Sequence, residues 1–204
     1  MSAAQDYMDC VERHKATALR PVTRHITGHN AEGKAILHSS IEVPRSYHSH
    51  VASGQSYPMS FSVAYTTSQF PPDLNNDADL EAHNKLIASG NLGLVNPGGS
   101  VFRIVDFAPN SPGAVHRTQS LDYGIVLEGQ IEMLLEEGEP VLLQRGDHAI
   151  QRATMHGWRN PSTTEWTRMA FVLQDCKPLT VGETRLKEDL GSIAGAVHSS
   201  GNDQ

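Results

Sequence analysis

The sequence predicts an all-β barrel or sandwich, and three observations carry that expectation. After Asn96-Pro97-Gly98-Gly99 the pattern changes to closely spaced β-like segments; these run in short apolar stretches; and turns at Glu128-Gly129, Glu137-Gly138 and Arg145-Gly146-Asp147 separate several of them. The expected strands are 101–107, 123–127, 130–135, 141–143, 148–151 and 166–173.

Ahead of them, the chain opens on a short helix expected around 7–19, with a thin apolar pattern. Segments 23–27 and 35–41 read as a hairpin, because Asn30 to Gly33 form a longer turn between them. Residues 44–57, rich in Ser, Pro, Tyr and Gly, read as a loop, and 60–69 as a strand stopped by Pro71-Pro72. Asn76 is positioned to cap a helix over 77–88 with acids in its first turn, Leu80, Asn84 and Ile87 sharing a face and His83 alongside. Beyond the strands, 184–190 reads as a short helix and the Ser/Gly/Asn-rich end as a disordered tail. Residues 1–94 are thus an extension packing on a barrel of 95–176, with 177–204 a C-terminal segment.

At 204 residues the chain holds one ordinary domain with peripheral segments. With 38% apolar and 19% charged residues it is a soluble globular type. A net charge of −7 without a Lys/Arg run excludes the concentrated basic surface that nucleic acid or an anionic membrane requires. Cys10 and Cys176 offer neither a disulfide framework nor a CxxC zinc spacing, so a reducing compartment is expected. With no leader-like start and no apolar run of membrane length, the expected location is cytoplasmic.

The chemistry concentrates in His116-Arg117-Thr118-Gln119-Ser120-Leu121-Asp122 and His156-Gly157-Trp158-Arg159-Asn160. Side chains two apart on a strand share a face, so 116, 118 and, if the strand continues, 122 point one way. His116, Asp122 and His156 supply two imidazoles and a carboxylate, a donor set that suits Fe(II) with open positions or a catalytic zinc holding water. Thr118 supplies no ligand and is expected to contact substrate instead. Arg103, in the apolar strand Val101-Phe102-Arg103-Ile104-Val105, is costly to bury unpaired, so it either faces solvent or binds a carboxylate or phenolate inside. Gln151 is an amide suited to a substrate oxygen, while Tyr123 and Trp158 adjoin site residues and are candidates for substrate contact, with core or rim packing as the alternative for both. His48-x-His50 has no acid nearby and reads as solvated loop; His148 is a further candidate to line the site.

The order Gly113, His116, Thr118, Asp122, Gly129, then Gly146-Asp147, His156 and Asn160 resembles the two motifs of the cupins, small β-barrel proteins. The first motif's spacing is intact, with Thr118 where the second His stands and Asp122 where the Glu stands. In the second motif Gln151 and Ala153 replace Pro and Gly, and Asn110 occupies the place of the glycine before the first His. The stretches HRTQSLDYGIVLEGQIEM and QRATMHGWRNPS resemble fungal single-domain cupins, several encoded beside polyketide synthases. The resemblance, over about residues 95–176, implies a single jelly-roll (double-stranded β-helix) barrel carrying an N-terminal β extension and one or two short helices. It also implies His116, Asp122 and His156 as ligands of a divalent Fe, Zn or Mn ion, and a homodimer.

Three functions stay open. The first is a metal-dependent oxidoreductase on a small aromatic or polyketide-derived substrate of secondary metabolism, using His116, Asp122 and His156. The second is a lyase or isomerase (a dehydratase, decarboxylase or aromatising enzyme) in which His116 or His156 moves a proton, with zinc or no metal. The third is a barrel that binds a metabolite without converting it. Whether 44–90 forms a lid over the pocket is also open.

Overall fold

A computed structural model describes residue 17 and residues 19–52 and 55–203, with the backbone alone from 47 to 58. The strands are β1 (Thr23–His29), β2 (Ala35–Glu42), β3 (Ser46–Ala52), β4 (Gln55–Thr67), β5 (Ser100–Phe107), β6 (Ser120–Glu128), β7 (Gln130–Leu135), β8 (Val141–Gln144), β9 (His148–Arg152), β10 (His156–Arg159), β11 (Thr167–Asp175), β12 (Leu179–Val181) and β13 (Thr184–Leu186). One sheet runs β3-β4-β5-β11-β6-β9 and a second β10-β7-β8, while β1-β2 and β12-β13 are separate hairpins. Every pairing between strands is antiparallel.

Strand period decides what lies inside. On β6, Ser120, Asp122, Gly124 and Val126 are buried while Tyr123, Ile125 and Leu127 are exposed. The apolar core joins both larger sheets: Met59, Val105, Phe107, Val126, Met169, Phe171 and Leu173 come from one, Ile131, Leu143 and Trp158 from the other. Gly129 makes the tight passage from β6 to β7. Its φ is +77°, and a Cβ there would lie 2.8 Å from Thr167 Oγ1 and 2.9 Å from the Trp166 carbonyl. Asn110 and Ala153, which stand where the cupin motifs carry glycine, hold the left-handed conformation themselves, at φ 59° and 52°.

The β1–β2 hairpin forms as expected, and the expected helix over 7–19 falls almost wholly outside the described residues. Several expectations are corrected. Residues 44–57 are not a loop but β3 and the start of β4, paired from Ser46 with Phe61 to Ala52 with Gln55. The turn-forming composition is tolerated because β3 is an edge strand, and at Pro58 strand β4 has only that one neighbour, its pairing with β5 starting at Met59. The β4–β5 ladder also means that the main sheet crosses residue 95. The helix α1 (Ala78–Ser89) starts after a 3-10 turn, Asn75–Asp77, and its cap is Asp77 in the left-handed region, without a side-chain capping bond from Asn76. Its buried residue is His83, not Ile87, which is 43% exposed. His83 Nδ1 meets Thr66 Oγ1 at 2.9 Å, and its Nε2 accepts from Arg24 Nη1 at 2.8 Å, so one imidazole ties helix and hairpin to β4.

Residues 184–190 do not form a helix; β13 pairs with β12 across a turn at Gly182. The end of the chain is also not loose. Ile193 enters the core, Ser200 Oγ accepts the Val95 N–H at 3.0 Å, and Asn202 Nδ2 donates to Asp175 Oδ1 at 2.6 Å. Polar composition signalled a tail, but these residues satisfy backbone and side-chain groups of the barrel instead. No helix among the described residues is long and apolar enough to cross a membrane.

Candidate active site

Between the two larger sheets lies a cavity of about 60 Å³, walled mainly by Met59, Phe61, Leu94, Val105, Phe107, Phe171, Leu173 and Ile193. Its polar lining is Arg103, His116, Asp122 and His156, with Trp158 alongside.

His116 and His156 meet because their backbones do. Each donates its N–H to the other's carbonyl at 2.9 Å, an antiparallel bridge that sets both side chains on one face. The rings lie 4.7 Å apart between centroids and are tilted by 51°. The same local device orients both: His116 Nδ1 bonds the Ala114 carbonyl and His156 Nδ1 the Thr154 carbonyl, each two residues back and each at 2.9 Å. A carbonyl only accepts, so each Nδ1 carries the proton and each Nε2 keeps a lone pair. Neither Nε2 has a partner among the described residues. Burial lowers both pKa values, with His156 reaching about 4 because His116 adds a repulsive contribution. Both imidazoles are therefore neutral at neutral pH. Trp158 stacks edge-on against His156 at 5.8 Å and braces it against Phe171.

Asp122 is buried on β6, and desolvation pushes its carboxyl up to about 7 against the opposing bonds from Ser120 and Thr118. Thr118 Oγ1 donates to Asp122 Oδ2 at 3.4 Å and accepts from Ser120 Oγ at 2.8 Å, while Oδ1 is buried without a partner. Among the described residues no three groups of His, Cys, Asp and Glu stand together so as to hold a metal ion. His116, Asp122 and His156 line one cavity but do not assemble the three-donor centre that the motif spacing implied. The physical reason lies at two positions: Thr118 brings no donor, and Asp122, one methylene shorter than Glu, is engaged with the Thr118 hydroxyl.

The other expected residues divide. Arg103 points inside rather than to solvent, but no carboxylate among the described residues meets it: Nη2 donates to the Gly93 and Leu94 carbonyls, and Nε is buried unpartnered. Tyr123 is 40% exposed on the outer face, as its odd position next to Asp122 requires, and lies outside the lining. Gln151 is buried and shares the inward face, yet its amide is committed to Met133 Sδ at 2.9 Å and to the Thr154 hydroxyl at 2.6 Å. Thr118 supports Asp122 from behind the lining. His148 is exposed, away from the cavity. Sequence reasoning missed the apolar walls. Strand parity with Arg103 would have found Val105 and Phe107, whereas nothing in the sequence signalled Ile193.

No family model matches the chain. It is 38% identical over 192 residues to Phomopsin biosynthesis cluster protein D of Diaporthe leptostromiformis, covering 94% of both chains. It is 38% identical over 180 residues to the cupin-domain-containing oxidoreductase virC of Hypocrea virens, covering 87% of this chain and 88% of that one. The corresponding protein fogC of Aspergillus ruber is 37% identical over 185 residues, with coverages of 90% and 87%. Among solved structures, a double-stranded β-helix protein of Klebsiella pneumoniae matches 37% of this chain and 66% of its own at 26% identity and a TM-score of 0.35.

Proposed function

The chain belongs to the cupin-domain family, as a small-molecule enzyme akin to those of fungal biosynthesis clusters, and from that premise we propose that it acts by moving a proton on the substrate through a pair of histidines. The substrate is a compact, mostly apolar intermediate of fungal-type secondary metabolism, and the reaction is an isomerisation or an elimination of water. The observation that carries this reading is the His116–His156 bridge, which gives two adjacent neutral imidazoles with Nδ1–H fixed and Nε2 free. One Nε2 takes a proton from an acidified C–H or O–H of the substrate. Burial disfavours the imidazolium that forms, so the proton is readily given back at the position where the product needs it. Asp122, with its carboxyl near 7, is suited to donate or accept a proton at the same wall. The apolar walls exclude water from these exchanges.

A second reading, an oxidoreductase, is favoured by the names of virC and fogC; a metal for it would be held by His116, Asp122 and His156. One experiment separates the two. The purified protein, analysed for metals, is incubated in D2O with small-molecule extract from a fungal strain lacking it, and consumed and formed masses are read by mass spectrometry. A product of unchanged or water-less composition that carries deuterium, formed without oxygen uptake and in the presence of chelator, is expected. His156→Gln should abolish it. A product changed by two hydrogens or by oxygen, together with about one iron, zinc or manganese per chain, would overturn proton transfer in favour of the second reading. The reading includes a homodimer, supported by the outward apolar row Phe102, Tyr123 and Ile150 and by exposed Ile36, Leu37 and Ile41 on β2; light scattering tests it.

A further inference from the structure

We propose that the cavity receives its substrate as a carboxylate and that Arg103 is the residue that holds it. This rests on the reading of the cavity as the substrate site. Arg103 sits on the inward face of β5 with Val105 and Phe107, is 7% exposed, and is surrounded in the lining by Phe61, Leu94 and Leu173. Its Nη2 is met only by two backbone carbonyls, its Nε is buried with no partner, and it forms no ion pair among the described residues. Asp122, the one carboxylate in the lining, is not within ion-pair reach of it.

The contrast within the same strand is informative. Three residues on and on the opposite face, Asp106 is paired at both oxygens with the buried Arg168. A buried guanidinium is ordinarily matched in this way, because a charge removed from water without a counter-charge is costly. At Arg103 burial lowers the pKa only to about 10, so the charge persists at neutral pH. Neutral ligands can use its free N–H groups, but only an anion also offsets the desolvated charge. A carboxylate is the planar anion that fits the guanidinium fork. The cavity is small, about 60 Å³, so the occupant is a small acid, with a single ring as its upper limit.

The test measures binding, not turnover. The full-length protein in chloride-free buffer is titrated by calorimetry and thermal melting with benzoate and 2,4-hexadienoate, with the matching amides and with 4-cyanophenolate. The acids are expected to bind at least tenfold more tightly than the amides and the phenolate, and Arg103→Met to lose at least tenfold in acid affinity. Arg103→Met removes an uncompensated charge but also the donor to the Gly93 and Leu94 carbonyls; should it fail to fold, Arg103→Lys should keep the melting temperature and lose affinity through the missing fork. Amides binding as well as acids, Arg103 variants binding acids unchanged, an Arg103 dependence confined to the phenolate, or no saturable acid binding would each overturn the proposal. His156→Gln should retain acid binding. Loss of turnover with intact binding therefore bears on the histidine chemistry, and loss of acid preference bears on Arg103.

Discussion

Replacing Asp106 with leucine should cost the fold about 3–5 kcal/mol, because it leaves the Arg168 guanidinium buried and unpaired. Arg168 and Asp106 are directly opposite on β11 and β5, and both side chains are 3% exposed. The pair is bidentate, with Nε to Oδ1 at 2.6 Å and Nη2 to Oδ2 at 2.7 Å, and Nη1 also donates to the Arg20 carbonyl at 3.0 Å. Glu128, 3.7 Å from Nη1 and 43% exposed, can take up part of the orphaned charge, which favours the lower end of the range. For a chain of this size about 2–4 °C is lost per kcal/mol, so the midpoint should fall by roughly 6–20 °C. Urea unfolding followed by circular dichroism gives the free energy directly. The double variant Asp106→Leu/Arg168→Met should recover most of the loss, since it removes both charges rather than one. A single-variant cost below about 1 kcal/mol, or a double variant no better than the single, would refute the reasoning that the desolvated partner sets the penalty.

Three further outcomes are expected. Asn160→Ala should destabilise by roughly 2–4 kcal/mol in the same urea assay, because the buried Nδ2 serves the Phe107, Ala108 and Glu165 carbonyls and all three lose a donor. Gly129→Ala should cost about 2 kcal/mol or more, read as a drop in urea midpoint, since a Cβ meets Thr167 and Trp166 at a left-handed backbone. The third concerns pH. His156 falls from 6.5 to about 4 on folding, so the unfolded chain binds more protons in that window and this site's contribution rises with pH. Asp122 rises from 3.8 to about 7, so the folded chain binds more protons there and its contribution falls with pH. The two oppose, and the parent should show little net slope from them between pH 4 and 6.5. Asp122→Asn should unmask a gain on the order of 3 kcal/mol across that range; unfolding curves as flat as the parent's would disprove the opposition.

The strands from 101 to 173 were legible because alternation and glycine turns are local signals, and the two histidine clusters were legible because their spacing is. The register of the ladders is not local. That His116 and His156, forty residues apart, bond each other's backbone could not be read from either cluster, and it is what sets both rings on one face; the carbonyls of Ala114 and Thr154 then fix the tautomers locally. The edge strand β3 was hidden by the Ser- and Gly-rich stretch around it, with Pro44 before it and Pro58 in the facing β4, a composition that a sheet edge tolerates. Proximity in sequence alone points to Tyr123 and Gln151 as site residues. Parity turned the first outward, and hydrogen bonds to Met133 and Thr154 occupied the second.

By itself the sequence determined an antiparallel β architecture, the two imidazoles and the carboxylate of one wall, and the absence of a donor at Thr118, because residue identity and strand period suffice for these. Only the tertiary structure decided that the Asp122 carboxylate is engaged with the Thr118 hydroxyl, that Ile193 closes the cavity from far along the chain, and that Arg103 faces inward without an anionic partner among the described residues. Those are statements about which distant segments meet, and they follow from burying one apolar surface between two sheets, not from any local run of residues.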